Sequence, residues 1–117
     1  MQSNDLTGAE SSERPLQGRC IFFDRQELNL ILRVYGRFVA AGEWRDYAID
    51  SLPDRCVFSV FRRASESPLY RIEKQPGLAR KQGAYSVFAQ HGQILRRGQD
   101  LAMTLRVFDK GRFAVVD

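Results

Sequence analysis

Histidine and cysteine, which supply most metal ligands and many catalytic groups, are scarce in this chain. The 117 residues contain one histidine, His91, and two cysteines, Cys20 and Cys56, which lie far apart. A structural zinc site needs about four nitrogen or sulfur ligands in closely spaced pairs, so neither a metal site nor a bound cofactor is indicated. Both cysteines have apolar neighbours, and we expect each to be a buried thiol within a strand rather than half of a disulfide.

The motifs of common hydrolases and nucleotide-binding proteins are also missing. The sequence has no Gly-x-Ser-x-Gly nucleophile motif, no phosphate-binding P-loop and no Gly-x-Gly-x-x-Gly segment. His91 lies beside Gly92 in a predicted tight turn, an uncommon position for a catalytic base. No catalytic residue is therefore indicated, and a non-enzymatic protein is favoured. The alternative is a small enzyme that combines carboxylates with arginines, such as Asp46, Asp50 and Arg63.

Long hydrophobic runs are absent as well. No apolar stretch approaches the roughly 20 residues that a membrane-spanning helix needs, and residues 1–14 lack the basic start and apolar stretch of a secretory signal. Hydrophobic residues make up 44% of the chain and charged residues 27%, which is typical of a globular domain. We therefore expect no membrane partner and a cytoplasmic location.

Acidic and basic residues are unevenly distributed. Residues 1–13 contain three of the 14 acids and no base, so the rest of the chain has a net charge of +7, against +4 for the whole. Residues 1–17 have almost no large apolar side chain, and we expect a disordered acidic tail there, followed by a single domain over residues 18–117. Fifteen of the 18 bases are arginine, which suits bidentate binding of phosphate or carboxylate. A GC-rich genome would produce the same bias.

Helix signals are clearest at residues 24–42. Asp24 and Glu27 have the spacing of a capping box, apolar residues then recur at three- and four-residue steps, and Gly42 can end the helix. These signals predict a helix over residues 25–41, preceded by a short apolar strand at 19–23. Arginines on a second side of this helix, such as Arg33 and Arg37, form either a basic surface or an ordinary solvated face.

The remainder of the chain is typical of an antiparallel sheet. Strands are predicted at residues 43–50, 55–63, 69–74, 84–90 and 93–97, with the second buried on both faces and the third half-exposed, so that Arg71 and Glu73 face solvent. A shorter helix of about ten residues is predicted to end near Gly111, and residues 113–116 form either a last strand or a frayed end. The predicted class is α+β, with an antiparallel sheet of about five strands, a long N-terminal helix and a shorter C-terminal helix covering one face.

Basic residues on the predicted sheet and its loops are the candidate binding residues. Such bases, interleaved with aromatic residues, are typical of surfaces that hold single-stranded nucleic acid, where bases track phosphates and rings stack. An anionic small ligand or an acidic protein partner would use the same arginines. A protein-interaction or homodimeric assembly module, using an exposed sheet edge or apolar patch, is the other alternative. The candidate residues are Arg62, Arg63, Arg71, Lys74, Arg80, Lys81, Arg96 and Arg97.

Six segments of the chain are distinctive in their residues. They are Asp-Arg-Gln-Glu-Leu at 24–28, Tyr-Gly at 35–36, Gly-Glu-Trp-Arg-Asp-Tyr-Ala-Ile-Asp at 42–50, Phe-Arg-Arg-Ala at 61–64, Pro-Leu-Tyr-Arg-Ile-Glu-Lys at 68–74 and Gln-Gly-Ala-Tyr-Ser-Val at 82–87. In these segments the chain resembles a small alphaproteobacterial family known only as a domain of unknown function. The resemblance covers about residues 19–110 and implies a bacterial cytoplasmic protein, but it brings no known activity, cofactor or site.

Overall fold

The described residues fold as a five-stranded antiparallel sheet with two α-helices, which confirms the predicted α+β class. The computed structural model describes residues 19–63 and 66–109. The strands lie in the order β1-β2-β3-β4-β5, so each pairs with its neighbour along the chain. No helix in the described part is long and apolar enough to cross a membrane. The elements are α1 (Arg25–Ala40), β1 (Asp46–Ser51), β2 (Cys56–Phe61), β3 (Tyr70–Lys74), a 3₁₀ turn (Pro76–Leu78), β4 (Tyr85–Ala89), β5 (Ile94–Gly98) and α2 (Leu101–Leu105).

Helix α1 begins at the predicted capping box. The Glu27 backbone N–H donates to Asp24 Oδ1 at 2.8 Å, and the Asp24 backbone N–H donates to Glu27 Oε1 at 2.7 Å. These two bonds satisfy donors that a helix start otherwise leaves unpaired. At the other end Gly42 has a φ of +79°, a conformation that suits glycine, and the chain turns into β1.

Two predicted elements differ in the structure. Residues 19–23 do not form a strand. They run past the end of the β1–β2 hairpin, and among the described residues their one backbone partner is Leu52 O, which accepts from Ile21 N at 2.9 Å. Helix α2 has five residues instead of ten; a turn at Arg106 interrupts it before helical geometry resumes at 107–109. The expected tail at 1–17 and the expected ending at 113–116 lie outside the described residues.

The register divides the sheet into two faces. On the helix face, Phe58, Ile72 and Val87 lie directly opposite one another and are at most 1% exposed. Both helices pack their apolar side chains on this row, and Phe38 of α1 stacks on Trp44 with ring centroids 4.3 Å apart. The core therefore lies between this face and the helices, as the sequence predicts.

Side chains that alternate with the core row form the other face, here called the polar face. On β2 it includes Val57, Ser59 and Phe61. Residues of the other strands continue it by their cross-strand pairing: Asp46, Ala48 and Asp50 of β1, and Arg71, Glu73, Ser86, Phe88, Ile94 and Arg97 of β3, β4 and β5. Within the described part of the chain, no helix covers this face.

The expectation that Glu73 faces solvent was wrong. Strand β3 is the middle strand of five, and the Glu73 side chain is only 2% exposed. The alternation of apolar and polar residues correctly placed Glu73 on the face away from the core, but strands flank it on both sides and the Arg55 and Arg71 side chains contact its carboxylate. Strand β2 is buried on both faces, as predicted.

Two glycines make a close backbone contact where the loop before β4 meets the end of β5. Gly83 has a φ of +103°, and a Cβ built on it would lie 2.6 Å from the carbonyl carbon and oxygen of Gly98. No L-residue fits there without moving backbone atoms.

We expect Gly83→Ala to lower the free energy of unfolding by at least about 2 kcal/mol, because it combines a left-handed conformation with a backbone clash. Gly36→Ala is the matched control, since a Cβ at this helical position meets nothing within 4 Å. It should stabilise the protein by about 0.5–1 kcal/mol through helix propensity. Urea unfolding of both variants measures the difference; equal effects would contradict the tight contact.

Candidate anion-binding site

The eight candidate bases do not form one patch. Arg62 and Arg63 are exposed just after β2 ends, and Arg80 and Lys81 are exposed in the loop before β4 begins. Because adjacent strands are antiparallel, these two pairs lie at opposite ends of the sheet. Arg63 has one weak ionic contact, 3.9 Å from Glu66.

Two of the candidates point to the helix side. Arg96 lies opposite Val87, and its Nη1 donates to the carbonyl of Met103 at 3.2 Å. Lys74 Nζ donates to Glu27 Oε1 at 2.7 Å and to the carbonyl of Phe22 at 2.9 Å. The Lys74 charge is thus neutralised inside the fold, which leaves this side chain little capacity for an external ligand.

The remaining candidates, Arg71 and Arg97, share the polar face with a third arginine, Arg55. Arg55 was not among the predicted bases. It stands two positions before Val57, so strand alternation alone could have placed it on this side; what the sequence did not reveal is that this side carries a buried acid. We call Arg55, Arg71 and Arg97 the arginine cluster.

Glu73 organises the arginine cluster. Its Oε1 accepts from Arg55 Nη1 at 2.9 Å, and its Oε2 lies 3.8 Å from Arg71 Nη1. A buried carboxylate is tolerated only when paired and hydrogen-bonded, so Glu73 holds both guanidinium groups in place. Arg55 also donates to Asp54, and this hydrogen bond is the largest cause of the raised pKa of Arg55, to which the Glu73 charge adds.

Arg71 and Arg97 differ in how their donors are used. The Arg71 guanidinium lies 4.9 Å from the centre of the Phe88 ring, a cation–π arrangement that leaves its edge free to donate. Arg97, on β5, lies opposite Ser86 of β4, and the Nη1 atom of Arg97 is buried without a hydrogen-bond partner. An unsatisfied cationic donor is costly, so Arg97 is the least well paired arginine of the cluster.

A second buried carboxylate, Glu27, joins α1 to the sheet on the helix face. Besides Lys74, it accepts from the hydroxyl of Tyr85 and from the Asp24 backbone. Burial and then the hydrogen bond to Glu27 raise the pKa of Tyr85 above its ordinary value. Glu27, Lys74 and Tyr85 are here called the Glu27 cluster. Two of them, Glu27 and Tyr85, border a polar cleft of about 280 Å³ that Gln99 also lines.

The Glu27 cluster has its donors and acceptors paired, which favours a structural role. Asp24, Gln26 and Asp100 also line its cleft. Among the described residues, no group of three or more histidine, cysteine, aspartate or glutamate side chains could hold a metal ion. The arginine cluster is therefore the better candidate for a site.

Glu27→Gln should lower the free energy of unfolding by about 3 kcal/mol, because the Lys74 charge would then be buried without its counter-ion. The double variant Glu27→Gln/Lys74→Met should lose clearly less than the sum of the two single variants. Urea unfolding of the four proteins gives the coupling energy. Additive losses would show that the pair is not coupled.

Ionisation of Tyr85 should weaken the fold at alkaline pH. Its pKa in the folded protein exceeds the ordinary value of 10.0, so its stabilising effect is complete below about pH 10 and is lost as the pH rises toward the folded-state pKa. Tyr85→Phe should therefore be less stable than the parent at pH 8, and the gap should narrow above pH 10. Unfolding curves at several pH values measure it; a constant gap would contradict the linkage.

Comparison with known proteins identifies one family that this sequence matches. Residues 21–105 match the family described as "Protein of unknown function (DUF2794)". Searches of curated proteins and of solved structures gave no match. The matched segment runs from before α1 to the end of α2 and contains both the arginine cluster and the Glu27 cluster. The chain therefore belongs to the DUF2794 family, a family of unknown function.

Proposed function

We propose that the domain is a non-enzymatic module that binds an anionic partner, single-stranded nucleic acid, on the polar face of its sheet. One observation carries the proposal: three arginines from different parts of the sheet share the face that the described helices leave open, and a buried carboxylate orients two of them. With Glu73 and Asp54, the two acids paired with Arg55, counted, the cluster has a formal charge of +1.

Preorganisation makes this cluster better suited to binding than a set of solvated bases. An arginine that is free in solution loses rotamer entropy when it captures an anion. The contacts with Glu73 already restrict Arg55 and Arg71, and the Phe88 ring restricts Arg71 further. Planar guanidinium groups of this kind donate paired hydrogen bonds to phosphate oxygens.

Aromatic and apolar side chains beside the arginines favour nucleic acid over a free anion. Phe88 lies on the polar face next to Arg71. Ile94 of β5 lies opposite Phe88, and 52% of its surface is exposed. Bases of single strands stack on aromatic rings and on guanidinium planes, while the backbone follows basic residues. Arg63 at one end of the sheet and Arg80 and Lys81 at the other would extend the path of the backbone.

The expected location is consistent with such a partner. A cytoplasmic protein of an alphaproteobacterium, as the family resemblance implies, meets single-stranded RNA and DNA directly. An acidic protein is the competing partner, and it would use the same arginines without needing the stacking surface of Phe88. Phe88 therefore discriminates between the two.

Titration of a fluorescent single-stranded 20-mer, as DNA and as RNA, tests the proposal at low salt. Arg97→Gln should weaken binding about tenfold, as expected for a charge-assisted hydrogen bond, and should reduce the slope of log affinity against log salt by about 1. Phe88→Leu should weaken binding with little change in that slope, because stacking does not release counter-ions.

The matched control is Arg33→Gln, which removes the same charge from an exposed position on α1. It should leave binding within about twofold, because only long-range electrostatics change. No binding at low salt, or equal losses for the Arg97 and Arg33 variants, would overturn the proposal. Loss with Arg97→Gln but not with Phe88→Leu would point to an acidic protein instead.

A further inference from the structure

Strand β1 is an edge of the sheet that the described residues form. Five of its six residues are exposed, and among residues 19–63 and 66–109 it pairs with β2 alone. The opposite edge strand, β5, is interrupted by a bulge and carries Arg96 and Arg97, features that discourage pairing with another strand. Strand β1 has no bulge, proline or lysine, and its two charged residues, Asp46 and Asp50, both lie on the polar face. We propose that a second copy of this chain pairs with β1, antiparallel, and extends the sheet across a twofold axis.

The backbone of β1 is set up for such pairing. Leu52 N donates to Arg55 O at 2.8 Å, which makes this a hydrogen-bonded pair at the end of the hairpin. Bonded and non-bonded pairs alternate along an antiparallel ladder, so Tyr47, Ile49 and Ser51 direct their N–H and C=O groups away from β2. The 3.7 Å approach of Ser51 Oγ to Cys56 Sγ agrees, because side chains are closer in non-bonded pairs.

Two of the three outward-bonding positions, Tyr47 and Ile49, also carry apolar side chains on the helix side. Tyr47 is 46% exposed and Ile49 is 42% exposed. The Tyr47 ring is held parallel to Phe58, with centroids 4.8 Å apart, so it needs little ordering before it meets a partner. Apolar side chains that flank a free edge are what a matching strand would cover.

Charge selects the register of the pair. Strand β1 carries two acids, Asp46 and Asp50, both on the polar face. Centring the twofold axis on Ala48 would put Asp46 directly opposite Asp50 of the second copy, twice. Centring the axis on Ile49 puts Ala48 opposite Asp50 of the second copy and brings the two Ile49 side chains together. The Asp50 residues of the two copies are then diagonal neighbours and do not lie directly opposite each other. Tyr47 then pairs with Ser51 of the second copy, and Ile49 pairs with Ile49, so all three outward-bonding residues have partners. We therefore propose the register that places Ile49 opposite Ile49 of the second copy.

This arrangement would bring the two polar faces to the same side of a ten-stranded sheet. The β3 strands of the two copies would be five strand spacings apart, or about 24 Å. Dimer formation does not depend on nucleic-acid binding, and either can fail without the other.

Sedimentation and light scattering of the full chain test the dimer. The parent protein should be dimeric at about 100 μM, and Ile49→Lys should make it monomeric because two lysines would meet at the axis. Ile94→Lys is the matched control, an exposed isoleucine on the other edge strand, and should leave the dimer unchanged. A monomeric parent, or a dimer that the Ile94 substitution disrupts and the Ile49 substitution does not, would overturn the proposal.

Cysteine cross-linking reads the register without relying on a destabilising change. In a Cys20→Ser background, Ile49→Cys should form an intermolecular disulfide under mild oxidation, because directly opposite Cα atoms lie about 5 Å apart. Tyr47→Cys should not, since its two copies would be about 14 Å apart along the strands. Cross-linking by Ala48→Cys or Tyr47→Cys in preference to Ile49→Cys would contradict the proposed register.

Discussion

A carboxylate buried in the middle strand of a sheet must be paired, and Glu73 imposes this constraint on the polar face. Its side chain is 2% exposed and takes Arg55 and Arg71 as partners. The next residue, Lys74, points to the opposite face and pairs with Glu27 at the start of α1. Two adjacent residues of β3 thus fix the arginines on one side of the sheet and the long helix on the other.

Much of this architecture could be predicted from local signals. The capping box located the start of α1, and alternating strands separated by turn residues gave all five strands of the sheet. The predictions that failed depend on contacts between parts of the chain that are distant in sequence. Residues 19–23 have strand-forming side chains but no ladder to join, and the burial of Glu73 depends on which strands flank β3. The grouping of Arg55 with Arg71 likewise follows from cross-strand register, which composition does not contain.

The two proposals assign different parts of the sheet to different tasks. The polar face supplies charge and stacking surface, held in place by interactions within one chain. The β1 edge supplies unpaired backbone groups and two apolar side chains, and it joins copies without covering the arginine cluster. A dimer of this kind would present two clusters on one surface, which suits a polymeric ligand better than a small anion.

Nuclear magnetic resonance mapping tests the assignment of the polar face most directly. Addition of a single-stranded oligonucleotide to ¹⁵N-labelled protein should shift backbone amide signals on the middle strands and β5, above all those of Arg71, Ser86, Phe88 and Arg97. It should also shift the side-chain signals of Arg97, because its guanidinium group would gain a hydrogen-bond acceptor. Amides on the exposed side of α1 should stay in place. Shifts confined to α1, or no shifts at low salt, would contradict an anion site on this face.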